Sequence, residues 1–222
     1  MAYYHEKLKE IKNLGCVDFM KIKHGGKYAI LKLVDESDET VNLLCSWRKK
    51  YRNMFATDFK ISEEKTRKWI KTGVLENPEK IVFMIYVDNK KIGIISSAKY
   101  DKKTNSAILD TMMKDPTYNF PGLMTIIEKV YLRWMFDGLK LSKITGFLFS
   151  DNKRMMNIHK KCGWVIIKVV PVERKKTKDG TKWEEIESKS NDKHVERYFN
   201  IIELSRENLV KNFGDIEFEI FA

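Results

Sequence analysis

The chain has 222 residues, 43% of them hydrophobic and 12% aromatic, enough apolar material for one globular domain and too much for wholesale disorder. Lys and Arg number 42 against 31 Asp and Glu, a net charge of +11, which favours anionic partners without choosing among nucleic acid, acidic lipid and a phosphate-bearing small molecule. Cys16, Cys45 and Cys162 are odd in number and widely spaced, which argues against a disulfide framework or a zinc finger, so no metal site is expected. The charged start MAYYHEKLKEIKNLG lacks the apolar run of a signal peptide. No stretch approaches the roughly 18 apolar residues of a membrane span, and a cytoplasmic location is expected.

Tyr4, Leu8, Ile11 and Leu14 recur at helical spacing and predict a short amphipathic helix over 3–14. His24-Gly25-Gly26 breaks the chain before a strand at 28–34. The acidic run 35–38 then opens a helix through 41–51 whose basic residues fall at its C-terminal end. A loop over 53–61 leads to Ser62, the expected N-cap of a helix that stops at Gly73. Residues 80–87 and 91–100, joined by Asp88-Asn89-Lys90, predict an antiparallel hairpin, and 106–114 a third strand closed by Asp115-Pro116.

After Pro121-Gly122 the longest helical pattern spans 123–136 and ends at Asp137-Gly138. A buried strand follows at 143–149, a helix opened by Asn152 ends at Gly163, and another apolar run occupies 164–172. Residues 173–197 carry nearly equal numbers of basic and acidic residues and predict an exposed loop or charged hairpin. A last core strand is expected at 198–205. The order predicts one α+β domain, with antiparallel hairpins in front and a β–α–β–α–β unit behind. Residues 1–27 are expected to be an N-terminal extension and 28–222 the domain proper.

Two places suit chemistry. The turn before residue 123 leaves unpaired N–H groups at a helix start, where they can hold a phosphate; an ordinary turn is the competing account. The helix after Asn152 puts Asn152 and His159 on one face, among Lys153, Arg154, Lys160 and Lys161.

The run N-x-R-M-x-x-I-H-x-K-x-G-W at 152–164 resembles the GNAT acyltransferase signature N-x-x-A-x-x-L-Y-x-K-x-G-F. Upstream, D-P-T-Y-N-F-P-G-L-M (115–124) occupies the place of that family's pyrophosphate loop. The stretch 36–70, with Trp-Arg ending one helix and S-x-E-x-x-x-x-W opening the next, is similar to the sugar-amine N-acyltransferases and the ribosomal-protein N-terminal acetyltransferases. Met124 stands where the family has Gly or Ala, and His159 where most members have Tyr.

The resemblance implies a mixed, splayed sheet and attack of an amine on acyl-coenzyme A, acetyl-CoA or a close relative. It implies catalytic parts for His159 as acid at the sulfur, the backbone near Met112 or Met113 as oxyanion donor, and Asp110 as base. It places coenzyme A against Met113, Asn119, Gly122, Leu123, Met124, Asn152 and Arg154, and the acceptor against Trp47, Arg48 and Tyr51. Covalent catalysis by Cys162 is a weaker rival. The leading acceptor is a nucleotide-linked (dTDP or UDP) deoxyamino sugar. A ribosomal-protein N-terminus is the alternative, and a nucleic-acid-binding module with an inactive acyltransferase fold a lower one; nucleic acid is not the expected partner. A homodimer is a further expectation.

Overall fold

The computed structural model describes residues 3–186 and 195–221. Its elements in chain order begin with α1 (Tyr3–Leu14), β1 (Asp18–His24), β2 (Lys27–Leu33), α2 (Asp38–Lys50), β3 (Thr57–Phe59), α3 (Glu63–Lys68), β4 (Ile81–Val87), β5 (Lys90–Asp101) and β6 (Ser106–Lys114). They continue with α4 (Leu123–Asp137), β7 (Lys143–Phe149), α5 (Lys153–Cys162), β8 (Val165–Thr177), β9 (Gly180–Glu185), β10 (Arg197–Ser205), α6 (Arg206–Phe213) and β11 (Phe218–Ile220). Eleven strands form one mixed sheet in the order β11-β1-β2-β4-β5-β6-β7-β10-β8-β9-β3. The α+β expectation holds.

Helices cover both faces, because nearly all of β4 and most of β5 are buried on both sides and a sheet apolar on both faces must be covered on both. The larger core joins α1, α4, α5 and α6 to one face. A second core sets α2 and the π-helical turn Trp69–Leu75 against the other. α4 is apolar nearly all round, from Leu123 to Phe136, as a helix wedged between sheet and neighbouring helices must be. A small third cluster, built on Phe149, Trp183 and Phe199, fills the far end.

Several segments differ from the sequence reading. The expected extension is part of the fold: Tyr4, Leu8 and Ile11 are buried, and β1 pairs with β2 on one side and β11 on the other. Gly25 and Gly26, both at positive φ, make the two-residue turn that a tight hairpin requires. The loop at 53–61 contains β3, which crosses to the opposite end of the sheet to pair with β9. The charged stretch, by contrast, contains the charged hairpin expected as one option: β8 runs on to Thr177 and pairs with β9. Its remainder at 187–194 lies outside the described residues.

The feature that positions the site is a parting of strands. β6 and β7 are parallel neighbours, but they pair only from Ser106↔Lys143 to Ile108↔Thr145. β7 stays paired with β10 along its length. Beyond Ile108, β6 and β7 therefore face each other across a gap with unpaired edges.

Candidate active site

The gap begins where β6 bulges. Register against β5 slips between Ile95↔Met112 and Ser97↔Leu109, so Asp110 and Thr111 stand opposite Ser96 alone, and the extra residue turns the strand. Ser96, sealed from solvent, repairs the lost ladder: its Oγ accepts from Thr111 N–H at 2.9 Å and lies 3.2 Å from Thr111 O. Met112 and Met113 follow on the free edge. Met113 is buried in the α2-side core and Met112 packs against the opposite core, so what they offer the gap is backbone.

Asp115–Gly122 links β6 to α4. Asp115 Oδ1 accepts from Thr117 N–H at 2.8 Å and Thr117 Oγ1 at 2.7 Å. Burial alone would raise its pKa, but hydrogen bonds from Thr117, then from the Trp47 indole and the Tyr118 backbone, hold it below the ordinary carboxylate range. Lys114 Nζ donates to Tyr118 O across the same loop. From outside, His24 Nε2 lies 2.9 Å from Pro121 O and its ring is 5.1 Å from that of Phe120. The β1–β2 turn thus braces the loop.

Gly122 caps α4 with φ +80, which an L side chain adopts only under strain, and a Cβ there would meet the His24 ring at 3.2 Å. Among the described residues no side chain caps this helix. Leu123 N–H reaches Phe120 O and Ile126 N–H reaches Gly122 O, leaving the N–H groups of Met124 and Thr125 for an anion at a helix N-terminus. Leu123 and Met124 turn their side chains into the core, at 1% and 8% exposure. A methionine therefore serves here without blocking the backbone. Asn119 is exposed on the loop.

Across the gap, α5 supplies Asn152 and Arg154. Asn152 Oδ1 caps its own helix by accepting from Met155 N–H at 3.2 Å. Arg154 is exposed and close enough to Tyr51 and Lys114 to act electrostatically on both. Burial, with Arg154 second, lowers the Lys114 pKa; burial raises that of Tyr51. Tyr51, Lys114, Asp115 and Arg154 thus gather at one mouth of the gap, and Lys114 and Asp115 were missed in the sequence because they read as a strand end and its turn.

Other expected site residues have different places. Trp47 is 1% exposed in the α2-side core, which corrects its expected place against the acceptor: only its indole N–H reaches the site, through Asp115. Arg48 donates to Thr57 O at 2.8 Å and stacks on Phe55 at 3.5 Å; burial pulls its guanidinium down to about 10, still protonated at neutral pH. It anchors the β3 crossing. Asp110 Oδ2 pairs with Lys80 Nζ at 2.6 Å and accepts from Thr111 Oγ1 at 3.2 Å. Cys162 is sealed from solvent, and burial, then the charge of Glu128, pushes its thiol far up; such a thiol does not supply a thiolate nucleophile. His159 is 6% exposed, and its Nδ1 lies 2.7 Å from Glu128 Oε1 on α4.

Two concavities adjoin the site. One, broad and open at about 1090 Å³, lies between α2, Ser62–Glu64 and Pro116-Thr117. The other, about 270 Å³, lies at the β3–β9 end and is lined by Arg52, Arg174 and Arg197 with Phe55 and Trp183. Among the described residues no helix is long and apolar enough to cross a membrane.

A family profile described as the acetyltransferase (GNAT) domain matches residues 29–165. No curated protein sequence matches the chain. Among solved structures, the spermidine N-acetyltransferase from Vibrio cholerae in complex with CoA and spermine superimposes with a TM-score of 0.64 at 12% identity, covering 82% of this chain and 98% of that one. A chimera of that enzyme with hSSAT gives 0.63 at 11% identity, covering 82% and 98%. At these identities the structures attest the fold. The profile spans more than half of the chain and takes in the bulged β6, the loop and α5, and by it this protein belongs to the GNAT acetyltransferase family, whose members take the acyl group from acyl-coenzyme A.

Proposed function

We propose that the protein transfers an acetyl or short hydroxyacyl group from acyl-coenzyme A to the amine of a nucleotide-linked (dTDP or UDP) deoxyamino sugar. The pantetheine arm lies between the parted edges of β6 and β7, and its pyrophosphate meets the free N–H groups of Met124 and Thr125. Arg154 and Lys114 add positive charge at the mouth, and Asn119 lies on the same loop. The neutral amine attacks the thioester carbonyl, the backbone near Met112 and Met113 receives the oxyanion, and the C–S bond breaks as sulfur takes a proton. His159 is the donor in this reading, through Nε2, the ring nitrogen that Glu128 does not hold. Asp110, already engaged by Lys80, takes the weaker part of base.

The observation that carries the acceptor is the smaller cavity. Arg52 pairs with Asp58 at 2.6 Å and Arg197 with Asp151 at 2.5 Å. Arg174 stacks on Trp183 at 5.0 Å and pairs with no acid among the described residues. Trp183 itself is buried, so what the cavity offers is the exposed guanidinium held over it, which suits the diphosphate of a nucleotide-linked acceptor. Glu196 also lines the cavity, but three guanidiniums make a poor host for a polyamine such as the spermine of the Vibrio structure.

The test offers acetyl-CoA with dTDP- and UDP-amino sugars, spermidine, or a ribosomal N-terminal peptide, and follows thiol release. Release with a sugar nucleotide is expected, and Arg174→Ala should raise its KM about tenfold, the loss of one charge-assisted contact of about 1.5 kcal/mol. Release with spermidine or the peptide alone would overturn the acceptor assignment.

A further inference from the structure

Glu128 is the anomaly of the core. It is 0% exposed and the one buried carboxylate among the described residues. Both of its hydrogen bonds fall on one oxygen: Oε1 accepts from His159 Nδ1–H at 2.7 Å and from Trp164 Nε1–H at 2.8 Å. Among the described residues Oε2 is sealed with no hydrogen-bond partner, with the Cys162 thiol close by. A buried carboxylate half satisfied is worse for stability than an apolar side chain of the same shape, so stability alone does not explain it.

Its geometry does one thing well. His159 and Trp164 flank the last turn of α5, which ends at Gly163 with φ +96. There the backbone passes so close to α6 that a Cβ would lie 2.5 Å from Asn208 O. The indole therefore comes from a fixed point and pins Oε1, and Oε1 in turn fixes the imidazole plane. A carboxylate can only accept, which assigns the hydrogen to Nδ1. Nε2 is left without a hydrogen bond among the described residues, and it is not one of the sealed unpartnered atoms, which are His5 Nε2 and Glu128 Oε2.

We propose that Glu128 is the positioning carboxylate of His159, holding Nδ1 so that Nε2–H points to the sulfur of the acyl donor; this rests on the reading of His159 as the proton donor. In the step, the C–S bond of the tetrahedral adduct breaks, its electron pair stays on sulfur, and sulfur takes the proton from Nε2. His159 passes from imidazolium to neutral imidazole with Nδ1–H still on Glu128. The proton shed by the attacking amine then restores the imidazolium. Glu128 remains a carboxylate throughout and touches no substrate.

The experiment uses the full chain with acetyl-CoA and hydroxylamine, a small amine that needs no acceptor pocket, and follows thiol release. Glu128→Gln should lower kcat at least tenfold with KM for acetyl-CoA changed less than twofold. His159→Gln should do the same, and the double variant should be no worse than His159→Gln. With S-acetyl-thionitrobenzoate, whose thiolate leaves without a proton, both single variants should recover wild-type kcat/KM. Glu128→Met, expected to melt no lower than wild type, should repeat the kinetic loss and serves if the glutamine variant does not fold. Full activity of the Glu128 variants beside an impaired His159→Gln overturns the positioning role alone. Additive losses, or losses that persist with the activated thioester, overturn it as well. An unimpaired His159→Gln, or wild-type protein that binds acetyl-CoA but releases no thiol, overturns the donor reading and this one with it.

Discussion

From β2 to β5 every strand is paired on both sides along most of its length, whereas β6 and β7 share three residue pairs and then diverge. The closed half is held largely by apolar side chains. Phe83, fully buried, stacks on Phe19 at 4.7 Å and meets Trp134 edge-on at 5.8 Å. The open half needs particular polar atoms, because a parted sheet leaves backbone groups that something must satisfy. Ser96 fills the bulge, Asp115 ties the loop, and His24 leans on Pro121. Stability and chemistry are thus held in adjacent strands by different means.

The largest effect should come from the closed half. Phe83→Ala is expected to cost about 3–5 kcal/mol, a fall of roughly 10 °C in melting temperature for a chain of this size. Coenzyme A affinity measured below that melting point should be unchanged; a large loss of affinity would show that the two halves are not separable. Ser96→Ala should cost less, about 1–3 kcal/mol for the part-buried Thr111 N–H left without an acceptor. Its effect on kcat should be out of proportion, since the bulge sets where Met112 and Met113 stand. Unchanged turnover would dissociate the bulge from catalysis.

Asp115→Asn is the smallest and depends on pH. The folded pKa of Asp115 lies below its unfolded value, so its contribution is fully present above the ordinary carboxylate pKa and is lost as pH falls through the lowered one. The variant should melt a few degrees lower than wild type at pH 7, and the difference should shrink through the acid range. A difference independent of pH would assign the loss to packing instead.

Much of this was legible in the chain. Apolar runs bounded by turns marked β4, β5 and β6, and caps at Ser62, Asn152 and Gly163 marked the limits of helices, because those residues act locally. Strand β1 was hidden by Lys21 and Lys23, which dilute its alternation, and β3 by its length of three residues. Trp47 was misplaced because neighbouring charge suggests exposure, whereas a helix turns Arg48 about 100° away. Glu128 could not be found at all: a glutamate within an amphipathic helix reads as solvent-facing until α5 is packed over it. Met124 gave the opposite lesson, since its side chain and its N–H point to different places.

The unpaired edges of β6 and β7 have a thermodynamic consequence. Between them, beyond the pair Ile108↔Thr145, lies a slot bordered by peptide groups left out of the ladder. A pantetheine arm carries two amides of its own and can enter as an interpolated strand, closing the sheet from Ile108 to the loop. The folded state would then be completed by its substrate, and saturation at a hundred times Kd would add about 2.7 kcal/mol to the free energy of unfolding. Bound to the thioester in this way, the protein would have its sheet made whole.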